Sequence, residues 1–303
     1  MLVASRTSLP RRSDATQERK RVTRASLLTR SAVLFLLLFS LVPFASARDK
    51  YPKGWRLVWS DEFKQRNGAA PDPAKWDYAL GGNGWGNQEL ETYTDRRQNS
   101  QVVDGKLVIT ARRESFAGKD GIAREYTSAR LLTRDKFAQK YGRFEARIKI
   151  PFGQGIWPAF WMLGDRGEWP DRGEIDIMEN IGKEPRTVHG TIHGPGYSGE
   201  HGIGAPYAIT KGRMADKFHV YAVEWEPNVI RFYVDSHFYK TITPADLPPG
   251  TKWVFDEPFY MLLNVAVGGG WPGYPDATST YPQKMQVDYV RVYQRPEIKK
   301  VQE

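Results

Sequence analysis

The sequence contains no cysteine among its 303 residues. Disulfide bonds, a thiolate nucleophile and cysteine-ligated zinc are therefore excluded. Stability has to come mainly from a packed core, and a chain of this length with 40% hydrophobic residues can bury one. We expect one large folded domain.

The sequence also lacks an uninterrupted apolar run of the ~20 residues that a bilayer-spanning helix needs. Its most apolar segment, residues 32–39, follows a basic leader and precedes Ala45-Ser46-Ala47, an A-x-A cleavage pattern. We interpret residues 1–47 as an export signal cleaved after Ala47, which predicts a periplasmic or extracellular protein without a stable membrane anchor. A linker at 48–54, a domain at 55–295 and a tail at 296–303 follow.

The part of the chain that follows residues 1–47 does not carry a large positive charge. The formal net charge is +9, but residues 1–47 hold eight Lys/Arg and two Asp/Glu, a net +6 that leaves +3 for the rest. A charge this small gives no support to binding of nucleic acid. We expect a monomer without a nucleic-acid partner.

Long helical periodicity is absent beyond residue 50, where the apolar pattern mostly has period two. Residues 107–110, 143–150 and 259–267 are typical of strands. Residues 220–225 and 230–234 flank Glu226-Pro227-Asn228, which predicts a hairpin. Many antiparallel strands joined by Gly- and Pro-rich turns favour an all-β jelly-roll sandwich of two stacked sheets.

The most informative segment is residues 174–179, Glu-Ile-Asp-Ile-Met-Glu, which places three acids in an otherwise apolar strand. Strict alternation puts Glu174 and Asp176 on one face and Glu179 on the other. The apolar pair Ile177-Met178 predicts a β-bulge that returns Glu179 to the acidic face. Such a strand can bring two glutamates toward the ~5–5.5 Å separation of a retaining glycosidase, which acts by double displacement. A solvated acidic strand and a calcium site are the alternatives.

The three acids match the E-x-D-x-x-E signature of glycoside hydrolase family 16, in the bulged form typical of its laminarinase-like endo-1,3-β-glucanases. The resemblance implies that residues 55–295 are the catalytic domain, with curved sheets and a cleft across the concave face. Four further blocks carry it: residues 55–63, 81–89, 141–147 and 287–293.

The resemblance also implies roles for the acids. Glu174 would be the nucleophile that attacks the anomeric carbon, and Glu179 would be the general acid and then the general base. Asp176 would assist by hydrogen-bonding the nucleophile and shaping the ionisation of the pair. Packed like charges raise at least one pKa, which would keep Glu179 protonated near neutral pH. Catalysis would need no cofactor.

Aromatic side chains suit the apolar faces of glucosyl rings, and the sequence has ten tryptophans. A buried core position is the alternative for each of them. The resemblance favours Trp157 and Trp161 as cleft residues and Trp169 as a wall beside the catalytic strand. Trp271, in a Gly-rich loop able to approach a ligand, is a further candidate, as is Trp85.

Polar candidates lie on both sides of the expected cut. Asn83 and Arg130 match family positions that hydrogen-bond the sugar on the non-reducing side, although a structural salt bridge is the alternative for Arg130. His189 and His193 share a strand face at a Cα separation of roughly 13 Å, too far to ligate one zinc together. The resemblance places His193 on the leaving-group side, and His189 has an equally plausible structural role.

Family members often bind calcium away from the catalytic centre. Here Glu62, Asp288 and the carbonyl of Gly105 match the usual ligand positions, and hard oxygen donors suit calcium. Either acid could instead belong to a surface ion pair. A structural calcium ion at these three residues is therefore a prediction to be tested.

The sequence thus predicts an exported, retaining endo-1,3-β-glucanase acting on laminarin-like β-glucans. A family enzyme for mixed-linkage glucan, agarose or carrageenan is the first alternative, because the cleft loops set specificity. A non-catalytic β-glucan-binding protein is the second alternative.

Overall fold

A computed structural model describes residues 52–296 of the chain. The predicted signal peptide lies outside the described residues, as do residues 48–51 of the linker and residues 297–303 of the tail. Three short 3-10 helices occur in the described part, at Gly199–His201, Met214–Asp216 and Pro244–Asp246. None of the helices between residues 52 and 296 has the length and apolar character needed to cross a membrane.

Nearly all the regular structure is β-strand, in two sheets whose strands we number in chain order. Sheet A has ten strands: β1 (Arg56–Asp61), β3 (Glu91–Tyr93), β4 (Ser100–Val103), β5 (Lys106–Ala117), β6 (Ala123–Ser128), β8 (Gly142–Lys149), β13 (His219–Glu226), β14 (Val229–Val234), β15 (His237–Ile242) and β17 (Gln283–Gln294). Sheet B has seven: β2 (Asp77–Tyr78), β7 (Arg130–Leu132), β9 (Ile156–Gly164), β10 (Glu174–Glu179), β11 (Thr187–His193), β12 (Ile203–Ala208) and β16 (Phe259–Val267).

The strand order confirms the predicted antiparallel β-sandwich. Sheet A runs β15-β14-β13-β8-β17-β5-β6-β3, with β1 paired to β17 and β4 to β5, and sheet B runs β12-β11-β10-β9-β16-β7-β2. All pairs are antiparallel except β3 with β6. The predicted hairpin forms between β13 and β14, where Asn228 takes a φ of 60° in the turn.

One hydrophobic core fills the space between the sheets. Sheet B contributes the inward residues of β9, β10, β11 and β16, which alternate with residues on its opposite surface. A separate apolar cluster of Leu163, Tyr260 and Leu262, with Trp161 packed against it, lies on that opposite surface. We call this surface of sheet B the site face, because the three acids of β10 belong to it.

Candidate active site

The acids of β10 share the site face because the strand contains the predicted bulge. Against β9, Asp176 pairs with Trp161 and Glu179 with Ala159, with a register shift between them. Against β11 the same shift falls between Asp176 and Glu179. Both Ile177 and Met178 are buried in the core, so the extra residue returns Glu179 to the acidic side.

Glu174 sits among groups with opposing effects on its ionisation. Burial, reinforced by the negative charge of Asp176, raises the pKa of Glu174 to about 8. The indole N–H of Trp169 acts in the other direction, because it donates a 2.6 Å hydrogen bond to Oε2 of Glu174 and so favours the carboxylate. Trp169 is 49% exposed, and its role as a wall beside the strand stays a prediction.

Glu179 occupies a different environment at the other end of β10. Burial, followed by the charge of Asp176, raises the pKa of Glu179 well above its usual range. Trp157 donates a hydrogen bond of 3.1 Å from Nε1 to Oε1 of Glu179 and partly offsets this effect. A carboxyl group that keeps its proton at neutral pH can act as a general acid.

Asp176 links the two glutamates and is only 2% exposed. Burial raises its pKa to about 7, and the hydrogen bond that it shares with Glu174 opposes that rise. Nε2 of His193 lies 3.0 Å from Oδ2 of Asp176. Three carboxyl groups this close do not all ionise, so protons remain on the cluster near neutral pH.

Within residues 52–296, Glu174, Asp176 and His193 form the one group of three side chains able to hold a metal ion, with ligand atoms within 4.8 Å of one another. Two carboxylates and an imidazole are ligand types that zinc accepts. However, Glu174 and Asp176 are hydrogen-bonded to each other, and Glu174 also accepts from Trp169. This arrangement suits acid–base chemistry without a metal.

The predicted aromatic residues all reach the site face. Trp271, 40% exposed, packs edge-to-face against Trp157 with ring centroids 5.5 Å apart, and its ring lies 5.0 Å from that of His189. His189 Nε2 lies 3.3 Å from Glu184 Oε2, so it has a partner away from His193. An aromatic wall thus continues from Glu179 through Trp157 to Trp271.

Arg130 lies on the other side of the acids, between two indole rings. Its guanidinium carbon is 4.6 Å from the ring centroid of Trp85 and 4.7 Å from that of Trp161. No salt bridge to Arg130 occurs in the described part of the chain, so the structural alternative is not supported. Asn83 is exposed in the neighbouring loop, where its Oδ1 accepts from the backbone N–H of Trp85.

The residues predicted for calcium have other partners. Both carboxylate oxygens of Glu62 accept from Arg291, at 2.7 and 2.9 Å. Asp288 accepts a 2.7 Å hydrogen bond from Arg147, and Gly105 takes a φ of 70° in the turn between β4 and β5. Two arginines already compensate the two carboxylates, so these residues as arranged do not fit a calcium ion. The calcium site stays a prediction.

Sequence reasoning did not identify the buried side chains that contact the tryptophans of the site face. Asn264 of β16 accepts from the indole of Trp161, and Tyr93 of β3 contacts both Asn264 and the ring of Trp85. The only sequence signal was the polar Asn264 inside the apolar strand β16, since β3, with the sequence Glu-Thr-Tyr, is itself polar. That signal was weak, because Tyr93 and Asn264 are 171 residues apart in the chain.

A β-sandwich with three clustered carboxyl groups on one surface, two of them buried and one partly buried, flanked by tryptophans and an arginine, has the fold and site of a glycoside hydrolase. The profile of the Glycosyl hydrolases family 16 matches residues 87–291, and the chain belongs to this family.

Two curated relatives and one solved structure illustrate the similarity. A beta-glucanase of Rhodothermus marinus is 45% identical over 278 residues, which cover 88% of this chain and 95% of that protein. Glucan endo-1,3-beta-glucosidase A1 of Niallia circulans is 42% identical, over 79% of this chain but only 38% of its own length. The laminarinase catalytic domain of Thermotoga petrophila aligns with a TM-score of 0.74 at 47% identity, covering 80% of this chain and 98% of that domain.

Proposed function

We propose that this protein is an exported, endo-acting, retaining glycoside hydrolase that cleaves β-1,3-glucosidic bonds in laminarin-like β-glucans. The observation that carries the proposal is the bulged strand β10, which places Glu174 and Glu179 on one surface in different surroundings. The similar beta-glucanase and laminarinase support the substrate class.

In the proposed first step, Glu174 attacks the anomeric carbon as its bond to the glycosidic oxygen breaks. Glu179 gives its proton to that oxygen, and the leaving sugar departs with a hydroxyl group. The nucleophile must be ionised, so the proton shared with Asp176 has to rest on Asp176. In the free site the pKa values of about 8 for Glu174 and about 7 for Asp176 favour the opposite distribution, so the proton has to move to Asp176 before the attack. The hydrogen bond from Trp169 assists that shift because it stabilises the charged form of Glu174.

In the second step, Glu179 takes a proton from water as the water oxygen attacks the anomeric carbon. The bond to Glu174 breaks, which frees the sugar with its original anomeric configuration and restores both groups. No cofactor takes part in either step.

The proposed sugar contacts divide along the site face. Asn83 and the Trp85–Arg130–Trp161 stack would hold the sugars on the non-reducing side of the cut. His193 would contact the leaving sugar, while Trp157 and Trp271 would provide apolar surface on the side of Glu179. Aromatic faces and forked donors are the groups that such a ligand requires.

The test is incubation of residues 48–303 with laminarin, curdlan, lichenan, agarose and xyloglucan. Reducing ends and product sizes are measured, and proton NMR follows the anomer released first. Rapid shortening of laminarin to mixed oligosaccharides with initial release of the β-anomer is expected. Cleavage of another polymer would change the substrate, the α-anomer would refute retention, and binding without cleavage would indicate a glucan-binding protein. The mass of the protein after export would test cleavage at Ala47.

A further inference from the structure

The Trp85–Arg130–Trp161 stack on the site face is held by rings rather than by hydrogen bonds to the arginine. Nε of Arg130 is buried and has no hydrogen-bond partner in the part of the chain that the structure describes. The guanidinium group therefore takes its position from the two indoles on either side of it. The contacts that hold the two indoles in place therefore also determine the position of the Arg130 side chain.

A buried chain of hydrogen bonds leads from one of these indoles into the protein. Nε1 of Trp161 donates to Oδ1 of Asn264 at 2.7 Å, and Nδ2 of Asn264 donates to Oη of Tyr93 at 3.1 Å. Oη of Tyr93 in turn donates to Oε2 of Glu89 at 3.0 Å. Asn264, Tyr93 and Glu89 are 6%, 1% and 8% exposed, so water does not compete freely for these bonds.

The direction of every bond in this chain is determined by chemistry. An indole N–H can only donate, so the Asn264 amide must turn its oxygen toward Trp161 and its NH2 group toward Tyr93. The Tyr93 hydroxyl then accepts from Asn264 and donates to Glu89. Asn87 donates to the second oxygen of Glu89 at 3.0 Å, so Glu89 accepts through both oxygens, as a carboxylate does.

The neighbouring Glu91 is a second buried carboxyl group beside Glu89. Glu91 is completely buried, and burial together with the charge of Glu89 raises the pKa of Glu91 well above its usual range. The protonated form of Glu91 is therefore favoured, and Oε2 of Glu91 accepts from the backbone N–H of Val267 at 2.6 Å. Glu89 is the acceptor at the end of the chain of hydrogen bonds.

Tyr93 also contacts the second indole, which closes the arrangement. Its ring centroid lies 5.4 Å from that of Trp85, so one side chain touches Trp85 through its ring and Trp161 through its hydroxyl and Asn264. We propose that Tyr93, Asn264 and Glu89 are positioning residues that hold the Trp85–Arg130–Trp161 stack in its sugar-binding orientation. The inference rests on the proposed function of that stack.

The test is Tyr93→Phe, which keeps the ring against Trp85 and removes both hydrogen bonds of the hydroxyl. We expect the KM for laminarin to rise about tenfold while kcat changes less than about threefold, because binding is lost equally in ground and transition states. Tyr293→Phe is the matched control: this buried tyrosine donates to Glu145 at 3.1 Å in sheet A. Tyr293→Phe should lower the melting temperature about as much as Tyr93→Phe does, but it should leave KM unchanged.

Binding measured without turnover separates this inference from the proposed function. In a Glu179→Gln background, calorimetric titration with a β-1,3-linked glucose hexamer should show a Kd about tenfold weaker for Tyr93→Phe. Trp161→Phe should also increase the Kd. In the double variant the Kd should increase by less than the product of the two single increases, since both changes break the same chain of hydrogen bonds. A folded Tyr93→Phe protein with parental Kd, or fully multiplicative effects, would overturn the inference.

A wrong substrate class would give a different result, because the Glu179→Gln parent itself would not bind the hexamer, whereas a glucan-binding protein without activity would bind it and fail only in the hydrolysis assay. The orientation of the indoles is then measured without ligand. Tyr93→Phe should change the tryptophan band of the near-ultraviolet circular dichroism spectrum, while Tyr293→Phe should not. An unchanged band in Tyr93→Phe would count against the positioning role whatever the substrate.

Discussion

Trp169 donates its indole N–H to Oε2 of Glu174 at 2.6 Å, although its side chain is half exposed. At the other end of β10, Trp157 makes the corresponding contact to Glu179. Each glutamate thus has a tryptophan donor on a different structural element, which allows the two ionisations to be altered separately.

Trp169→Phe keeps an aromatic wall but removes the donor to Glu174. Since that hydrogen bond lowers the pKa of Glu174, its loss should raise the pKa and move the acidic limb of the kcat/KM profile to higher pH. Activity below neutral pH should fall about tenfold or more, as hydrogen bonds to charged groups contribute about 1.5–3 kcal/mol. The pH profile of laminarin hydrolysis measures this. If kcat/KM decreased by the same factor at every pH and neither limb of the profile shifted, the assigned contact between Trp169 and Glu174 would be contradicted.

Glu174→Gln should stabilise the protein while removing its activity. The pKa of Glu174 is raised from 4.5 to about 8 by folding, so the stability that it contributes below 4.5 is lost as the pH rises toward 8. Replacing it should therefore raise the melting temperature more at pH 8 than at pH 5. About 1 kcal/mol corresponds to about 2–4 °C for a domain of this size. Glu200→Gln, at an exposed carboxyl, is the control and should show no trend with pH.

Glu179→Ala should lose the general acid but keep the nucleophile. Substrates with good leaving groups should still form the glycosyl-enzyme, and added azide should speed its breakdown to a β-glycosyl azide. Mass spectrometry or NMR identifies this product. Glu174→Ala provides the comparison, since it should give no β-azide. An absence of azide rescue in Glu179→Ala would leave the acid–base assignment without support.

Metal removal tests the calcium prediction. Because Glu62 is paired with Arg291 and Asp288 with Arg147, chelation by EDTA should shift the melting temperature by less than about 2 °C. A larger decrease that calcium reverses would establish the predicted site and show that the arginines give way to the ion. Glu62→Gln should then abolish the calcium effect.

The sequence by itself determined the local features of this protein. Period-two patterns and turn residues predicted the strands and the β13–β14 hairpin, and residues 174–179 predicted the bulge. These predictions succeeded because strand alternation and bulges depend on neighbours along the chain. Motif blocks indicated the family in the same way, and the family resemblance then supplied the candidate residues Asn83, Arg130 and Trp161.

Only the tertiary structure decided what surrounds those residues. The partners of Trp161, Asn264 and then Tyr93, come from β16 and β3, and the Arg130 sandwich joins a loop to two strands. The same is true of the ion pair between Glu62 and Arg291, which lie 229 residues apart in the sequence. Such contacts depend on strand order and on which buried polar groups must find partners, and neither is encoded in local spacing.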